Sequence, residues 1–599
     1  MSTTLQRLYR DELSFLRLQG ERFAQQHPQL ARFLGESSTD PDIERLLEGF
    51  AFLSARLREK IEDDFPELTF SLLNLLWPNY LRPVPAISMM RFDPVEQAIV
   101  KHQVVPKDTL LLSRPVEGLP CQFCTAADLS VYPLRIAQLV EQRSREQSVL
   151  RIQLQTLSAQ PLRSIECDRL SFFFSGTDYT ALTLYLWLFR YLDRITIQPD
   201  TDDDTYNQAH TRTLQADNLT RIGFSPEEAI LPYPQNVFDG YRIIQEFLAF
   251  PRRFYGFMLQ HLHNQRGSCW PGDSCSSVVI TCYFKRALPE DIKVRSEDLS
   301  LFCVPAVNLF EHTAEPIVLS GERIQYPLFP ADNRQGRYEI FQVERVASTE
   351  EKTGEEKERA YPAFESFQHE IERKHHRTRL YYRLAVTTAV EDDRLLHYLA
   401  FMRGDEAHYL GRQETISVTL QCTNGTLPEA LTVGDIDVPS QKSPSFVTFT
   451  NITAPTATCR PVLDSSLHWT LISNLALNYL SLLQPEPLKN ILRVYDFAAL
   501  QDVQIERRAQ KRLAGIQSID TQPVDRLIRG FPVRGLQSTL TLDQEAFSCE
   551  GEMYLFATVL SHFFTLYSSI NSFHLLRLHN ATNNEEYTWE LMSGTQPVI

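Results

Sequence analysis

The clearest hydrophobic pattern in the chain lies at residues 40–65, where apolar side chains recur every three or four positions between Arg and Glu. This period is typical of an amphipathic helix. Asp40 can cap the helix, Pro41 suits its first position, and Pro66 disfavours helical backbone at Phe65. The apolar stripe consists of Ile43, Leu46, Leu47, Phe50, Leu53, Leu57, Ile61 and Phe65.

A second, shorter helix is predicted from Leu68 to Trp77, opened by Pro66. It is apolar on all sides, but its length is only about half of the roughly 20 residues needed to cross a bilayer. We therefore expect it to be buried in protein, either in the core of this chain or against a partner chain. The Pro-rich segment at 82–85 marks the end of a helical N-terminal unit.

Beyond residue 85 the hydrophobic period changes from near 3.6 to 2. Residues 148–156 alternate as in a half-buried strand, and residues 169–197 predict a strand, a helix and a strand in succession. Further strands are predicted at 276–284, 338–346, 380–390 and 416–422. The polar segment 199–236 is predicted to be an irregular connection, and the charged segment 348–378 a solvated loop or partly disordered arm.

The last part of the chain combines both periods, with helices predicted at 466–483 and 553–571 and a strand at 535–543. A chain of 599 residues exceeds what one hydrophobic core usually supports. We predict an α+β multidomain fold with a helical N-terminal unit, β-rich middle domains and a mixed α/β C-terminal domain. The predicted boundaries are 1–85, 86–300, 301–460 and 461–599.

The net charge and the cysteines of the chain indicate which partners and which cellular compartment to expect. The formal net charge of −16, with no basic run to offset it, argues against nucleic acid as a partner. The chain has no basic amphipathic face, which argues against a peripheral membrane module. The N-terminus lacks the apolar core of a signal peptide, so we expect a cytoplasmic protein. Ten scattered cysteines are typical of reduced core thiols.

Candidate chemistry is sparse, so no cofactor or metal is expected. Cys121 and Cys124 have the spacing of a zinc or redox pair, but Cys269 and Cys275 do not supply a second short pair. The spacing needed for a zinc-binding or calcium-binding motif is also missing around three other polar groups: His261 with His263, His369 with His375 and His376, and Asp202–Asp204. The sequence contains no GxSxG, Walker A or GxGxxG motif.

Seven segments in a fixed order resemble one known family. They are LYRDELSFLRLQGERFAQQHPQLARFL, the two-helix segment through LLNLLWPNYLRPVPA, GYRIIQEFLAFPRRF, FCVPAVNLFEHTAEPI, LQCTNGTLPEAL, HWTLISNLALNYLSLL with ILRVYDF, and RGLQSTLTLDQEAF with LYSSINSFHLLRL. Together they resemble TssF, also called VasA or ImpG, the baseplate wedge subunit of the bacterial type VI secretion system. The charged segment 348–378 contributes least to the resemblance.

The resemblance implies a structural role without catalysis. TssF-like proteins form wedges with two TssF copies to one TssG, joined by TssK and TssE, and six wedges surround the spike hub (VgrG). This complex links the cytoplasmic sheath to the membrane anchor, so the protein would be cytoplasmic and associated with the membrane only through the assembly. The alternative is a hydrolase or metal enzyme with an unrecognised site.

The candidate protein interface combines the first helix with two other groups of aromatic residues. Because such stripes can serve a core or an interface, we expect the first helix and Trp77 to pack partly against TssG and the second TssF copy. The aromatic residues of EFLAFPRRF are expected to form either a surface clasp or a core cluster. The candidate residues are Ile43, Leu46, Phe50, Leu53, Leu57, Ile61, Trp77, Phe247, Phe250 and Phe254.

Overall fold

The computed structural model describes most of the chain beyond residue 40. The described residues are 9–10, 13–14, 16, 41–62, 66–157, 161–201, 203–234, 239–264, 267–268, 270, 275–319, 323–333, 336–352, 355–364, 380–389, 394–403, 414–463, 483–528 and 530–594. The helix predicted at 466–483 therefore lies almost entirely outside the described residues. The N-terminal segment before residue 41, apart from five residues, and all of 365–379 also lie outside them.

The chain divides into two compact units, Met1–Leu73 with Asp464–Trp469, and Asn74–Leu463 with Thr470–Ile599. The predicted division into four domains stays a prediction. The helices are α1 Pro41–Glu62, α2 Pro66–Leu76, α3 Asp178–Arg190, α4 Asp204–Ala209, α5 Asp239–Ala249, α6 Pro485–Tyr495, α7 Phe497–Gln501, α8 Val503–Ala514 and α9 Glu550–Tyr567.

Strands outnumber helices in the described chain, so the fold is a β-rich mixture of the two. The first strands are β1 Ile87–Pro94, β2 Gln103–Val105, β3 Leu110–Val116, β4 Leu119–Thr125, β5 Leu129–Val131, β6 Leu134–Arg143, β7 Ser148–Thr156, β8 Leu170–Phe174, β9 Leu192–Pro199, β10 Arg212–Leu214, β11 Leu219–Arg221, β12 Gly256–Leu259, β13 His263–Asn264, β14 Gly267–Ser268 and β15 Ser277–Phe284. The remaining strands are β16 Leu299–Leu301, β17 Cys303–Val307, β18 Phe310–Thr313, β19 Ile317–Leu319, β20 Gln325–Leu328, β21 Glu339–Lys352, β22 Glu355–Tyr361, β23 Leu380–Thr388, β24 Leu395–Arg403, β25 Glu414–Thr423, β26 Val447–Asn451, β27 Ile516–Ile528, β28 Phe531–Leu542, β29 Phe573–Asn580, β30 Glu586–Thr588 and β31 Met592–Ser593.

Several sheets join segments that are far apart in the sequence. The larger sheets have the orders β26-β1-β17-β4-β3, β10-β9-β15-β7-β6, β11-β12-β8-β16, β18-β25-β21-β22, β20-β24-β23 and β27-β28-β29-β30. In the first sheet β1 pairs with both β17 and β26, so the boundary predicted at residue 300 runs through a continuous sheet. The parallel pair β28 and β29 needs a crossover connection, and α9 provides it.

Long periodic segments adopt the predicted structures. In β7 the side chains alternate between buried and half-buried, and the sequence β8, α3, β9 matches the strand, helix and strand predicted at 169–197. Thr177 caps α3 because its Oγ1 accepts a hydrogen bond from the Thr180 amide at 3.3 Å. Strands β15, β21, β23 and β25 also cover the four further predicted strands.

Two predictions of irregular structure are wrong. The segment 199–236 contains α4 and the short strands β10 and β11, which add to the edges of two sheets. The first half of the charged segment 348–378 is a hairpin of β21 and β22, whose register places Glu350 opposite Lys357. A charged composition therefore does not exclude a strand here.

The larger unit has its helical core around α9. Thirteen residues of α9 are buried, and α9 packs against α3, α5 and the strand β29. A separate apolar cluster fills the space between the sheets built from β18–β25, with Leu319, Leu399 and Leu420 fully buried. Trp589 extends the α9 core, since its indole Nε1 donates to Thr558 Oγ1 at 3.0 Å.

Candidate docking surface

Helix α1 carries an exposed apolar face. Leu46, Phe50 and Leu53 are 72%, 60% and 61% exposed, which is unusual for such large apolar side chains on one helix. At 3.6 residues per turn the three positions fall within about 60° of one another around the helix axis. They therefore form one surface, which we call the α1 face.

The buried side of α1 is opposite the α1 face. Ala51 and Ala55 have no exposed surface, and their positions lie about half a turn from Leu46, Phe50 and Leu53. Small alanines on the buried side allow close packing of the backbone, whereas Leu46, Phe50 and Leu53 face solvent. This distribution is the reverse of what an ordinary surface helix shows, in which the large apolar residues are inside.

Helix α1 also contains three other predicted interface residues. The backbone of Ile43, Leu57 and Ile61 is helical, but their side chains lie outside the described residues. Gly49 is exposed next to Phe50, and a Cβ atom there would meet nothing within 4 Å. The α1 face is thus defined by Leu46, Phe50 and Leu53, with an exposed glycine at its edge.

Trp77 belongs to the core of this chain, which corrects its prediction as an interface residue. It is 1% exposed, and its ring centroid lies 5.7 Å from Tyr233, 5.7 Å from Tyr241 and 5.8 Å from Tyr495. Tyr241 and Tyr495 stack at 5.0 Å. Burial raises the pKa of Tyr241 to about 12, so its hydroxyl stays protonated. The indole ring of Trp77 is therefore covered by aromatic residues of the chain itself.

The aromatic residues of EFLAFPRRF also form a core cluster and not a surface clasp. Phe247, Phe250 and Phe254 are 3% exposed or less. Phe247 lies 6.1 Å from Phe254 and 6.0 Å from Phe556 of α9, measured between ring centroids. Of the two alternatives that the sequence left open, the structure selects the core.

A buried ionic cluster holds this aromatic segment in place. The Glu246 carboxylate lies 3.4 Å from Arg242 Nη1 and 3.4 Å from Arg253 Nε, and it accepts a hydrogen bond from the Ile230 amide at 2.8 Å. Arg253 also donates to the carbonyl oxygen of Glu228. Buried charges are costly unless they are paired, and Glu246 pairs with both arginines here.

The cysteine pair is not built as a metal or redox site. Both residues lie on β4, where a spacing of three places their side chains on opposite faces, with Cys121 buried and Cys124 half-buried. Burial raises the pKa of Cys121 to about 11 and that of Cys124 to about 12, so neither thiol ionises near neutral pH. Within the part of the chain that the structure describes, no three His, Cys, Asp or Glu side chains are arranged to bind a metal ion.

One segment near the C-terminus has more basic than acidic residues. Residues 503–534 contain seven Lys or Arg but only three Asp or Glu, and they form α8, β27 and the start of β28. This segment includes the doublet Arg507-Arg508 and the nearby Lys511.

None of the helices in the described residues is both long and apolar enough to cross a membrane.

Comparison with known proteins relates the chain to one family over nearly its whole length. A family model described as "Type VI secretion system, TssF" matches residues 1–596. The type VI secretion system component TssF1 of Pseudomonas aeruginosa strain PAO1 is 27% identical over 640 aligned positions, which cover 100% of both chains.

Two solved structures are similar over most of the chain. A chain in the cryo-electron microscopy structure of the type VI secretion system TssK-TssF-TssG baseplate subcomplex has a TM-score of 0.75 and 27% identity, covering 93% of this chain and 99% of that chain. A chain in the baseplate complex from the type VI secretion system has a TM-score of 0.67 and 26% identity, covering 99% and 100% respectively. With the match of the family model to nearly the whole length, the chain belongs to the TssF family of the type VI secretion system.

Proposed function

We propose that this protein is a structural, non-enzymatic subunit of a type VI secretion baseplate, and that the α1 face is a docking surface for its partners. The observation that carries the proposal is the exposure of Leu46, Phe50 and Leu53 on one side of a 22-residue helix. The family match and the likeness to baseplate structures supply the biological context.

The energetics favour a covered α1 face. Burying a Leu or Phe side chain completely contributes about 1.5–3 kcal/mol relative to leaving it exposed. Three such side chains at spacings of four and three residues suit recognition by another helix or by an apolar groove. A TssG-like protein is the proposed main partner, and a second copy of this chain covers part of the same face.

The wider assembly follows the family. We propose wedges with two copies of this chain to one TssG-like protein, bound also to TssK-like and TssE-like proteins and placed around a VgrG-like spike hub. In this arrangement the protein is cytoplasmic, and it reaches the membrane only through the complete secretion complex. Its contribution to sheath contraction is mechanical, through contacts between subunits.

The test compares two substitutions of equally exposed apolar residues. Phe50 and Val433 are both 60% exposed, but Val433 lies on the other compact unit, away from α1 in the sequence. Phe50→Asp and Val433→Asp are co-produced with the TssG-like and TssK-like proteins of the same cell, and complexes are isolated through a tag on the TssG-like protein. Circular dichroism of each variant verifies folding.

We expect Phe50→Asp to lose most of its co-purification, because an unpaired carboxylate would be desolvated at the contact. Val433→Asp should co-purify as wild type does. Both variants should remain folded, since substitutions of exposed residues usually change stability by less than about 0.5 kcal/mol. Co-purification of Phe50→Asp at the wild-type level would refute the role of the α1 face.

A further inference from the structure

One arginine in the larger compact unit has no acidic partner. Arg221 of β11 is half-buried, and its Nε atom is fully buried and makes no hydrogen bond. Its Nη2 donates to the Tyr554 hydroxyl of α9 at 3.2 Å. Within the part of the chain that the structure describes, no carboxylate pairs with Arg221. Glu228, close by in the sequence, instead accepts hydrogen bonds from the Gly223 and Ser225 amides at 3.0 and 3.1 Å.

The guanidinium of Arg221 lies against aromatic rings. Its Cζ is 4.3 Å from the ring centroid of Phe189 in α3. The centroid of the Phe189 ring is 4.8 Å from that of Tyr185, and the Tyr185 centroid is 6.2 Å from that of Tyr554. An aromatic face attracts a cation weakly but does not neutralise its charge. Because an arginine side chain stays charged even in a protein interior, β11, α3 and α9 meet around one uncompensated positive charge.

A second hydrogen-bond donor in the same place also lacks an acceptor. Tyr185 has no exposed surface, and its hydroxyl makes no hydrogen bond among the described residues. Two neighbouring hydroxyls are already used as donors: Tyr554 donates to the Phe189 carbonyl oxygen at 3.5 Å, and Thr558 to the Tyr554 carbonyl oxygen at 2.8 Å. Buried polar groups without a protein partner usually bind a water molecule or an ion.

A histidine at the edge of this group is neutral. The ring of His562 in α9 stacks on Phe224, with 3.9 Å between the centroids. Burial, and then the charge of Arg221, lower the pKa of His562 to about 3, so its imidazole carries no charge at pH 7. Burial also raises the pKa of Tyr185 above its usual value. We call Arg221, Tyr185, Phe189, Tyr554 and His562 the Arg221 cluster.

The chemistry of the Arg221 cluster selects an anion over water. A water molecule can accept a hydrogen bond from a buried donor, but it leaves the charge of Arg221 among aromatic rings and neutral hydroxyls. An anion supplies both an acceptor and the opposite charge, and hydrogen bonds to a charged group are the stronger ones. One charge and two free donors suit a small monovalent anion, whereas the several oxygens of phosphate or sulfate need more donors. Arg221 and His562 are half-buried, so such an anion can enter from solvent.

We propose that the Arg221 cluster binds a small monovalent anion of the halide type, held by the Arg221 guanidinium and the Tyr185 hydroxyl. The bound anion connects β11 to α3 and α9. A ligand that binds only the folded chain stabilises it, so chloride stabilises this part of the molecule. The site is separate from the α1 face and does not depend on the function proposed for that face.

Chlorine-35 NMR tests binding directly, because exchange with a protein site broadens the chloride resonance. The full chain is purified with its TssG-like and TssK-like partners in sodium gluconate, whose bulky anion does not fit among buried rings, and chloride is then added. Arg221→Gln removes the charge, and Tyr185→Phe removes the hydroxyl but keeps the ring. Arg212→Gln is the matched control, since Arg212 is an exposed arginine on the short strand β10. Circular dichroism verifies that each variant is folded.

We expect Arg221→Gln to lose the part of the line broadening that saturates with chloride. Tyr185→Phe should weaken chloride binding roughly tenfold, the effect of one hydrogen bond to a charged group. Arg212→Gln should behave as wild type does. Because Tyr185→Phe keeps the aromatic packing, it tests the site even if Arg221→Gln fails to fold.

Hydrogen exchange at equal ionic strength provides the second measurement. In wild type, the amides of β11, α3 and α9 should exchange more slowly in chloride than in gluconate, and in Arg221→Gln this difference should disappear. Equal exchange of wild type in the two salts would show that the cluster holds only water and would overturn the proposal. So would line broadening that is the same in Arg221→Gln, Tyr185→Phe and Arg212→Gln.

Discussion

The guanidinium of Arg253 lies 3.4 Å from the Glu246 carboxylate, and both side chains are almost completely buried. Arg252, the preceding residue, pairs instead with Asp178 at the surface, at 2.9 Å. Two adjacent arginines thus make ion pairs in opposite environments. They allow the contributions of a buried and an exposed pair to be compared directly within one turn of chain.

We predict that Glu246→Leu lowers the free energy of unfolding by about 3–5 kcal/mol, because it leaves Arg242 and Arg253 buried without their carboxylate. Arg252→Ala should cost at most about 1 kcal/mol, since exposed pairs contribute little. Urea unfolding followed by circular dichroism measures both. Equal losses for the two variants would show that the interior cluster is solvated.

Stability should fall in acid because of a buried neutral histidine. His574 is 1% exposed, its Nε2 lies 3.0 Å from Ser538 Oγ, and burial lowers its pKa to about 3. Below about pH 6.5 the imidazole of His574 binds a proton in the unfolded chain but stays neutral in the folded chain. The stabilisation present at neutral pH is therefore lost as pH falls from 6.5 towards 3.

The measurement is urea unfolding at intervals between pH 7.5 and pH 4.5. His574→Gln removes the titrating group and keeps an amide that can bond to Ser538. We expect the stability of this variant to fall less steeply below pH 6.5, by about 1.4 kcal/mol per pH unit, the contribution of one proton. Identical slopes for wild type and variant would exclude His574 as a source.

Two glycines with open space around them should respond oppositely to alanine. A Cβ atom meets nothing within 4 Å at either Gly49 or Gly530, but Gly530 has a φ of +86° in the turn of the β27–β28 hairpin. Gly49→Ala should stabilise α1 by about 0.5–1 kcal/mol through helix propensity. Gly530→Ala should destabilise the hairpin by about 1 kcal/mol, because L-residues disfavour that backbone conformation.

Hydrogen exchange resolves the effects of the two glycine substitutions by region. Protection of the α1 amides should rise in Gly49→Ala, and protection of the outer β27–β28 amides should fall in Gly530→Ala. Because the two sites differ in backbone conformation and not in available space, a loss of protection at both would contradict the assigned helical conformation of Gly49.

The CxxC thiols should be unreactive in the folded protein. With a pKa of about 11, Cys121 has roughly one thiolate in a thousand molecules at pH 8, and Cys124 has fewer. Iodoacetamide at pH 8 should therefore label both residues slowly in the native chain and readily after unfolding in urea. Rapid native labelling would indicate an activated pair, and Cys121→Ser with Cys124→Ser would then be expected to impair assembly.

Hydrophobic periodicity was sufficient to predict a helix or strand that has one regular apolar face. The stripe of α1, the alternation of β7 and the apolar α9 segment all predicted their elements, because each pattern follows directly from 3.6-residue or two-residue geometry. Periodicity did not predict β22, which pairs with β21 at the edge of its sheet. Such pairing is a tertiary property that composition does not contain.

For the candidate interface residues, too, the sequence predicted the apolar pattern but not the burial. The sequence predicted that Phe50 and Phe247 lie on apolar faces, but not that the first is exposed and the second buried. Phe247 is covered by Phe556, more than 300 residues later in the chain, and no local pattern encodes that contact. Burial therefore had to be read from the structure.

The pairing of β1 with β26 has a consequence for how the protein is made. Pro94 faces Val447, so a ribosome must add about 350 residues before the first strand meets its second neighbour. At 5–20 residues per second this takes roughly 20–70 s. During that time Met90 and Phe92, fully buried in the finished sheet, are available to chaperones and to other nascent chains. Slowing or speeding translation between these two strands should therefore alter the yield of native protein without any change in its amino-acid sequence.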